Sequence, residues 1–406
     1  MNNDVVITGV GVVSPIGVGE TAFWSALCAG RAASATVRGM GVGELSRRNA
    51  CQVPEGSSCD RGNGSAGGAT GVPGRAACLA LDATRQAITD AGLSPDELAA
   101  VPAHRLSLLA GTTMGETEFI ENQLGAKSED WLSNRHVAEI LAGQPGSISR
   151  NVANGLGLRG RAVDLYGACA AGNMALAEAR RQLLDGRCDL AIAGGADGFS
   201  RLAFLGFMRL RVMSEGVCRP FDERRDGLLV GEGAGMFVLE RESTAKARGA
   251  RIRARLIGAA NACEDYHPTR PHPQGDGLAR AIQTALVEAD LRPADVDYVC
   301  AHGTGTPQND AIEVVVMNTN LHPGTPFSSI KALTGHTMGA AAALEAAACV
   351  LSLQNQMLIP TWNLEDVLKP CHLEGLKGGT RPARVRVAMN NSAGFGGYNS
   401  SVILAA

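Results

Sequence analysis

The 406-residue chain is poor in aromatic side chains, at 4%, and carries a formal net charge of only −3. So small an imbalance argues against a nucleic-acid binder working through a basic face and against a polybasic membrane anchor. A local basic patch for an acidic protein partner stays open. The sequence has no run of about 18 uninterrupted apolar residues, so no membrane-spanning helix is expected. The opening MNNDVVITGVGVVSP lacks a basic stretch followed by an apolar one. No secretory signal is therefore expected, and the reading is a cytoplasmic protein with neither nucleic-acid nor membrane partners. None of the eleven cysteines forms a CxxC pair, and no Cys/His cluster has zinc spacing. This predicts no metal site and reduced thiols, most of them small buried hydrophobes.

What is present is core-forming: 45% hydrophobic residues against 19% charged ones, in a chain long enough for two domain-sized units. Short apolar, β-branched runs at 5–11, 106–111, 162–167, 190–195, 236–240, 253–261, 296–302, 384–390 and 401–405 read as buried strands. Ala-rich helical patterns such as 76–92 and 277–291 lie between them. That alternation predicts an α/β fold with a mainly parallel sheet. The Gly- and Ser-rich stretch 54–75 reads as a mobile connector or a tolerated insertion.

Two segments look like copies of one unit. Cys169 is followed by Gly172 and Glu178, and His336 by Gly339 and Glu345, so the glycine falls at +3 and the glutamate at +9 in both. Each segment begins an Ala-rich helix. This predicts two halves, 1–250 with the cysteine and 251–406 with the histidines. Chance alignment of Ala/Gly-rich helices is the competing explanation.

Three stretches hold candidate chemistry. In VDLYGACAAGNMALAEARRQLLDG (163–186), Cys169 sits between a buried strand and a helix start. A helix N-terminus favours negative charge, which predicts a lowered thiol pKa. The small neighbours Ala168, Ala170, Ala171 and Gly172 are expected to leave room for a substrate. Taken alone, a buried cysteine is more often inert packing. In AHGTGTPQNDAIE (301–313), His302 ends a strand, Thr304 and Thr306 line the following loop, and Asp310 and Glu313 follow at helical spacing. A lone histidine here also fits a core residue bonded to the backbone. In SSIKALTGHTMGAAAALEAA (328–347), Lys331 precedes His336 by five residues, and Glu345 lies farther along the helix. A buried lysine needs a partner, and Glu345 would supply one; a surface lysine is the plainer reading.

Together these residues resemble the Cys-His-His set of the β-ketoacyl-ACP synthases, condensing enzymes of the thiolase fold. The resemblance runs nearly end to end. VVITGVGVVSPIG (5–17) looks like the family's opening strand and turn, CRPFDERRDGLLVGEGAGMFVLE (218–240) like its central signature, and NNSAGFGGYNSSVIL (390–404) like its C-terminal Gly-Phe-Gly-Gly loop. The resemblance implies two pseudo-duplicated βα halves in a layered αβαβα architecture. It also implies an acyltransferase that joins carbon to carbon.

By the same resemblance, Cys169 would take an acyl chain from an acyl carrier protein, with the Cys169 and Phe395 N–H groups as oxyanion hole. His302 and His336 would stabilise the enolate left when malonyl-carrier loses CO₂. Lys331 would hold the region of His336 and pair with Glu345, and Asp310 and Glu313 match an acidic pair with a supporting role. Thr304, Thr306 and Thr269 would bond the phosphopantetheine arm. Met114 would line the far end of the acyl pocket at a dimer interface, and Arg211 would meet the acidic carrier. No cofactor is implied beyond that arm, and no metal. The partners implied are the carrier protein and a second subunit, identical or a chain-length-factor-like homologue.

Two residues depart from the common fatty-acid pattern Asn-Ser-Phe-Gly-Phe-Gly-Gly-Thr-Asn: Ala393 stands for its first Phe and Tyr398 for its Thr. By the resemblance Phe395 is the gate residue of the Gly394–Gly397 loop, and loss of a ring beside it should free volume or loosen the loop, which leans toward a specialised type II polyketide or polyene pathway. The alternatives are a housekeeping fatty-acid synthase II, a non-catalytic chain-length-factor-like partner, and a thiolase. Cys169, His302 and His336 argue against the non-catalytic partner. The absence of a cysteine in the C-terminal loop argues against the thiolase.

Overall fold

The computed structural model describes residues 4–41, 43, 45–55, 74–125 and 146–406. Most of the Gly/Ser-rich stretch, 56–73, therefore lies outside the described residues. Ten principal strands share one sheet. The first five are β1 (Val5–Ser14), β2 (Leu106–Thr112), β3 (Arg161–Tyr166), β4 (Leu190–Asp197) and β5 (Gly233–Arg241). The second five are β6 (Ala254–Cys263), β7 (Tyr298–Cys300), β8 (Pro326–Ser328), β9 (Val387–Ala393) and β10 (Tyr398–Ala405).

Their spatial order is β8-β7-β9-β10-β6-β1-β5-β4-β2-β3. Read outward from the β6–β1 junction, each half has the same order of its own first, fifth, fourth, second and third strand. The sheet is mixed, which corrects the expectation of a mainly parallel one. β2 runs parallel to β3 and β4, and β7 parallel to β8 and β9. β5 runs antiparallel to both β1 and β4, and β10 antiparallel to both β6 and β9. The physical reason lies in the connections: β9 and β10 are joined by the short Gly394–Gly397 loop, which only an antiparallel pair accommodates.

Side-chain alternation along the strands sorts the core into layers. Leu108, Ala110, Met236 and Val238 face helices α1 (Arg75–Asp90) and α2 (Ser147–Leu156). Leu109, Phe237 and Leu239 face the other way, into a central cluster with Leu176, Leu183, Leu344 and Leu351. Those last four belong to α3 (Ala171–Leu184) and to a long Ala-rich helix near the C-terminus. In the second half, α5 (Asp276–Glu288) and α6 (Pro307–Asn320) cover the outer face, through Leu278, Ile282 and Val314 against Val299, Met389 and Ile403. In the chain between α3 and α5 comes helix α4 (Arg201–Arg209), which buries Ala203 and Phe204 and leaves Leu202 and Leu205 exposed.

The Ala-rich helix is α7 (Ala341–Asn355), buried at every residue from Ala341 to Leu353. Its all-round small, apolar sequence fits a helix enclosed on all sides. Gly172 lets α3 approach it, since a Cβ there would lie 2.8 Å from the Ala343 nitrogen and 3.0 Å from the Gly339 oxygen. This corrects one expectation: Gly172 serves helix packing rather than substrate room.

The internal repeat also shifts register. A short turn, Ala168–Ala170, precedes α3, and a similar one, Met338–Ala340, precedes α7. Each opens on a non-glycine residue at positive φ, Ala168 at 48° and Met338 at 54°. Cys169 thus stands level with Gly339, not with His336. The glutamates differ as well: Glu178 bonds Arg181 at the surface, whereas Glu345 is buried.

Candidate active site

Cys169 is the middle residue of the turn between β3 and α3 and is 6% exposed. Ala168 holds that turn in a left-handed conformation that costs a residue with a Cβ about 1–2 kcal/mol. The Gly394–Gly397 loop packs against it, and a Cβ on Gly394 would lie 2.9 Å from the Cys169 nitrogen. The Phe395 N–H is directed at the Cys169 sulfur. The Phe395 nitrogen is therefore placed beside the Cys169 sulfur, and the Cys169 nitrogen against the same loop.

Burial pushes the Cys169 thiol up to about 12, with the Lys331 charge opposing. The expectation of a thiol lowered by the helix start is corrected here: desolvation of the charged form outweighs the local favourable fields.

His302 lies two residues beyond β7 and is 2% exposed. Its loop is held from behind by two carboxylates on the first turns of α6. Glu313 accepts from the His302 N–H at 2.7 Å and the Gly303 N–H at 2.8 Å. Asp310 accepts from the Thr304 N–H at 3.0 Å, the Gly305 N–H at 3.1 Å and the Phe221 N–H at 2.8 Å. Burial raises both acids, Glu313 to about 8.

Lys331 and Glu345 are each 1% exposed and paired directly. Lys331 Nζ also donates to the His302 carbonyl at 2.5 Å and lies 3.3 Å from His302 Nδ1. Lys331 therefore holds His302, which corrects the expectation that it holds the region of His336. Burial raises the Glu345 carboxyl to about 7, against the pull of Lys331.

His336 is fixed by other means. Its N–H donates to the Leu229 carbonyl at 2.7 Å, and its carbonyl accepts from the Gly231 N–H at 2.8 Å. The Met338 N–H donates to His336 Nδ1 at 3.2 Å.

An amide N–H and an ammonium can only donate, so Nδ1 of both histidines is an acceptor and the proton of each neutral ring sits on Nε2. Burial, and then the Lys331 charge, holds both imidazoles well below their usual range, so they are neutral. The two rings meet edge to face with centroids 5.4 Å apart.

Cys169, His302, His336 and Phe395 line one cavity of about 410 Å³. Thr269, Thr304, Thr306, Ala393 and Arg211 line it too. The Thr304 and Thr306 hydroxyls are 2.9 Å apart. Asp310, Glu313, Lys331 and Glu345 stand behind its wall. Met114 does not line it; its side chain packs against the apolar cluster of Phe199, Phe204 and Met338. No group of three or more His, Cys, Asp or Glu side chains that would hold a metal occurs among the described residues.

Several residues at the site carry no sequence motif of the kind read above. Asp197, at the end of β4, accepts from the Thr112 hydroxyl at 2.7 Å, the Thr113 N–H at 2.8 Å, the Met114 N–H at 2.9 Å and the Gly339 N–H at 2.6 Å. It ties the first half to the turn after His336, and burial raises it to about 6. Its only sequence signal is a lone acid closing an apolar run. Asn173 and Asn390 bond each other at 2.9 Å between α3 and β9. Phe207 lines the cavity with its ring centroid 5.6 Å from that of Phe395.

Comparison with known proteins identifies the family. The sequence matches the family described as Beta-ketoacyl synthase, N-terminal domain, over residues 2–245, and its C-terminal domain over residues 253–365. It is 34% identical to the tetracenomycin polyketide synthase ketoacyl synthase alpha subunit of Streptomyces glaucescens, covering 99% of this chain and 96% of that one. It is also 34% identical to 3-oxoacyl-[acyl-carrier-protein] synthase 2 of Synechocystis, covering 97% and 96%. Among solved structures, the ishigamide ketosynthase/chain length factor superposes with a TM-score of 0.90 at 34% identity, over 100% of this chain and 99% of that one. A type II polyketide ketosynthase in complex with its acyl-carrier protein superposes at 0.88 and 28% identity, over 100% of both. The mixed α/β fold is thus thiolase-like, and the chain belongs to the β-ketoacyl synthase family of carbon–carbon bond-forming acyltransferases.

Proposed function

We propose that the chain elongates an acyl group held on Cys169 by two carbons, using malonyl-carrier, in a specialised type II polyketide or polyene pathway. One observation carries this reading. Two neutral imidazoles have their Nδ1 atoms occupied by donors, which leaves both Nε2–H groups for a ligand in the cavity that Cys169 shares.

In the first step the Cys169 sulfur bonds to the thioester carbon, the carbon–sulfur bond to the pantetheine breaks, and the thiol proton passes to the departing sulfur. The N–H groups of Cys169 and Phe395 stabilise the oxyanion. In the second step the malonyl carboxylate leaves as CO₂, and its bonding pair forms an enolate. The Nε2–H groups of His302 and His336 bond the enolate oxygen. The enolate carbon attacks the acyl carbon, and the Cys169 sulfur leaves and regains a proton from solvent. This is covalent catalysis in two half-reactions, with no cofactor besides the carrier's arm.

Ala393 in the cavity wall supports the specialised pathway, because a methyl group stands where a ring would reduce the volume. A carrier protein is the proposed partner, with a second subunit of the same fold. The two halves, 1–250 and 251–406, are the proposed structural units. The test is direct: the purified chain, an acyl-carrier and malonyl-carrier should yield CO₂ and a β-ketoacyl product two carbons longer. A chain that binds both carriers but releases no CO₂ and forms no acyl-enzyme would be a non-catalytic partner instead.

A further inference from the structure

Asn173 is fully buried on α3, one turn after Cys169, and its helix neighbours Ala171, Ala175 and Leu176 are apolar. Every polar atom of its side chain is used by β9. Its Oδ1 accepts from Asn390 Nδ2 at 2.9 Å. Its Nδ2 donates to the Asn390 carbonyl at 3.2 Å and to Ser392 Oγ at 3.4 Å. Asn390 is equally buried, and its Nδ2 also donates to the Ala342 carbonyl on α7 at 2.8 Å. An apolar side chain would be buried there without the cost of desolvating an amide, so packing alone gives no reason for the pair.

The two elements joined are those that carry the main-chain donors facing the acyl group. α3 begins at the turn of Cys169, and β9 runs through Ser392 into the loop that presents Phe395. Close contact sets one limit on their spacing, since a Cβ on Gly394 would lie 2.9 Å from the Cys169 nitrogen. Such contact resists approach and does not resist separation. Hydrogen bonds resist separation, and those of Asn173 run between the same two elements. The histidines have other support. Asn390 pairs with Cys300 in the β7–β9 register, two residues before His302, and its bond to Ala342 reaches the helix that follows His336. Neither of these depends on the Asn173 side chain.

We propose that Asn173 is a positioning residue that, through Asn390 and Ser392, sets the distance between the Cys169 and Phe395 N–H groups. This rests on the proposed acyl transfer to Cys169. Preorganised donors stabilise an oxyanion only when both meet it at hydrogen-bond distance, so a small separation of α3 from β9 weakens that step. Decarboxylation uses the Nε2–H groups of His302 and His336 instead, and is spared.

The test measures, on each preparation, the rate of Cys169 acylation by an acyl-carrier and the release of CO₂ from malonyl-carrier alone. Asn173→Leu fills nearly the same volume and removes every side-chain bond to β9. Its maximal acylation rate should fall by about tenfold or more with the half-saturating concentration unchanged, while CO₂ release stays within about twofold of the unaltered chain. Asn173→Asp is the conservative variant. Burial favours its neutral acid, which keeps one donor and one acceptor for Asn390, so it should recover most of the acylation rate. Should Asn173→Leu fail to fold, Asn173→Ala, which overfills nothing, reads the same split between the two rates. Equal losses in both rates, an unchanged acylation rate, or an Asn173→Asp protein no faster than Asn173→Leu would each overturn the assignment of Asn173 and leave the proposed function standing. An unaltered chain that forms no acyl-enzyme would overturn both.

Discussion

Lys331 holds His302 at two points, donating to its carbonyl at 2.5 Å and facing its Nδ1 at 3.3 Å, while its third contact is the buried Glu345. One ammonium thereby fixes the position and tautomer of the His302 imidazole, and its charge adds to burial in holding that ring neutral.

Lys331→Met should remove all three and leave Glu345 without its partner. Breaking a buried pair this way costs about 3–5 kcal/mol. Because Glu345 already sits near about 7, it can take up a proton, and the loss should fall at or below the lower end. Adding Glu345→Gln should recover stability in thermal unfolding without recovering malonyl decarboxylation. Recovery of both would mean that Lys331 acts only through folding.

A thiol raised to about 12 by burial has a definite reactivity profile. Alkylation of Cys169 by iodoacetamide should climb about tenfold per pH unit from about pH 7 to about pH 10 without a plateau, because the thiolate is the nucleophile. A plateau below about pH 8 would show that the helix start and Lys331 outweigh burial. With both histidines held neutral, decarboxylation should stay flat through the usual imidazole range near about 6.5.

Asp310→Asn keeps the shape of the side chain but replaces one accepting oxygen with a donor group. The N–H groups of Thr304, Gly305 and Phe221 then compete for fewer acceptors. The expected loss is about 1–3 kcal/mol in denaturant unfolding. Decarboxylation should fall more than acylation, because the loop displaced carries His302. Equal losses in both half-reactions would contradict the placement of Asp310 behind that loop.

The candidate residues were legible through the resemblance that their segments carry together, since each alone fits inert packing as well. Cys169 follows an apolar run and precedes an Ala-rich helix, and His302 closes another such run. The Lys331–Glu345 pairing was carried by the resemblance, because a surface lysine is the plainer reading of that segment alone. Asp197 was not legible, because its partners lie between 83 and 142 residues away and only the fold brings them together. Strand direction escaped for a related reason: alternation of strands and helices does not report that β9 and β10 turn back on each other. Gly172 was misread because composition does not distinguish room for a ligand from room for a helix. Gly172 faces Ala343.

Ala393→Phe should shrink the cavity beside Phe207 and Phe395. Overpacking of this kind costs about 1–3 kcal/mol, and the acyl chain should feel it first. The rate of Cys169 acylation should fall for long or rigid chains and hold for acetyl. Uniform loss across chain lengths would place Ala393 outside the acyl path.

The most direct test of the account is the intact mass of the protein after incubation with an acyl-carrier. The mass should rise by one acyl group, the modified peptide should contain Cys169, and Cys169→Ala should show no rise. A Cys169→Ala protein that still gains the acyl group would contradict the assignment of the nucleophile, and with it the mechanism built around His302 and His336.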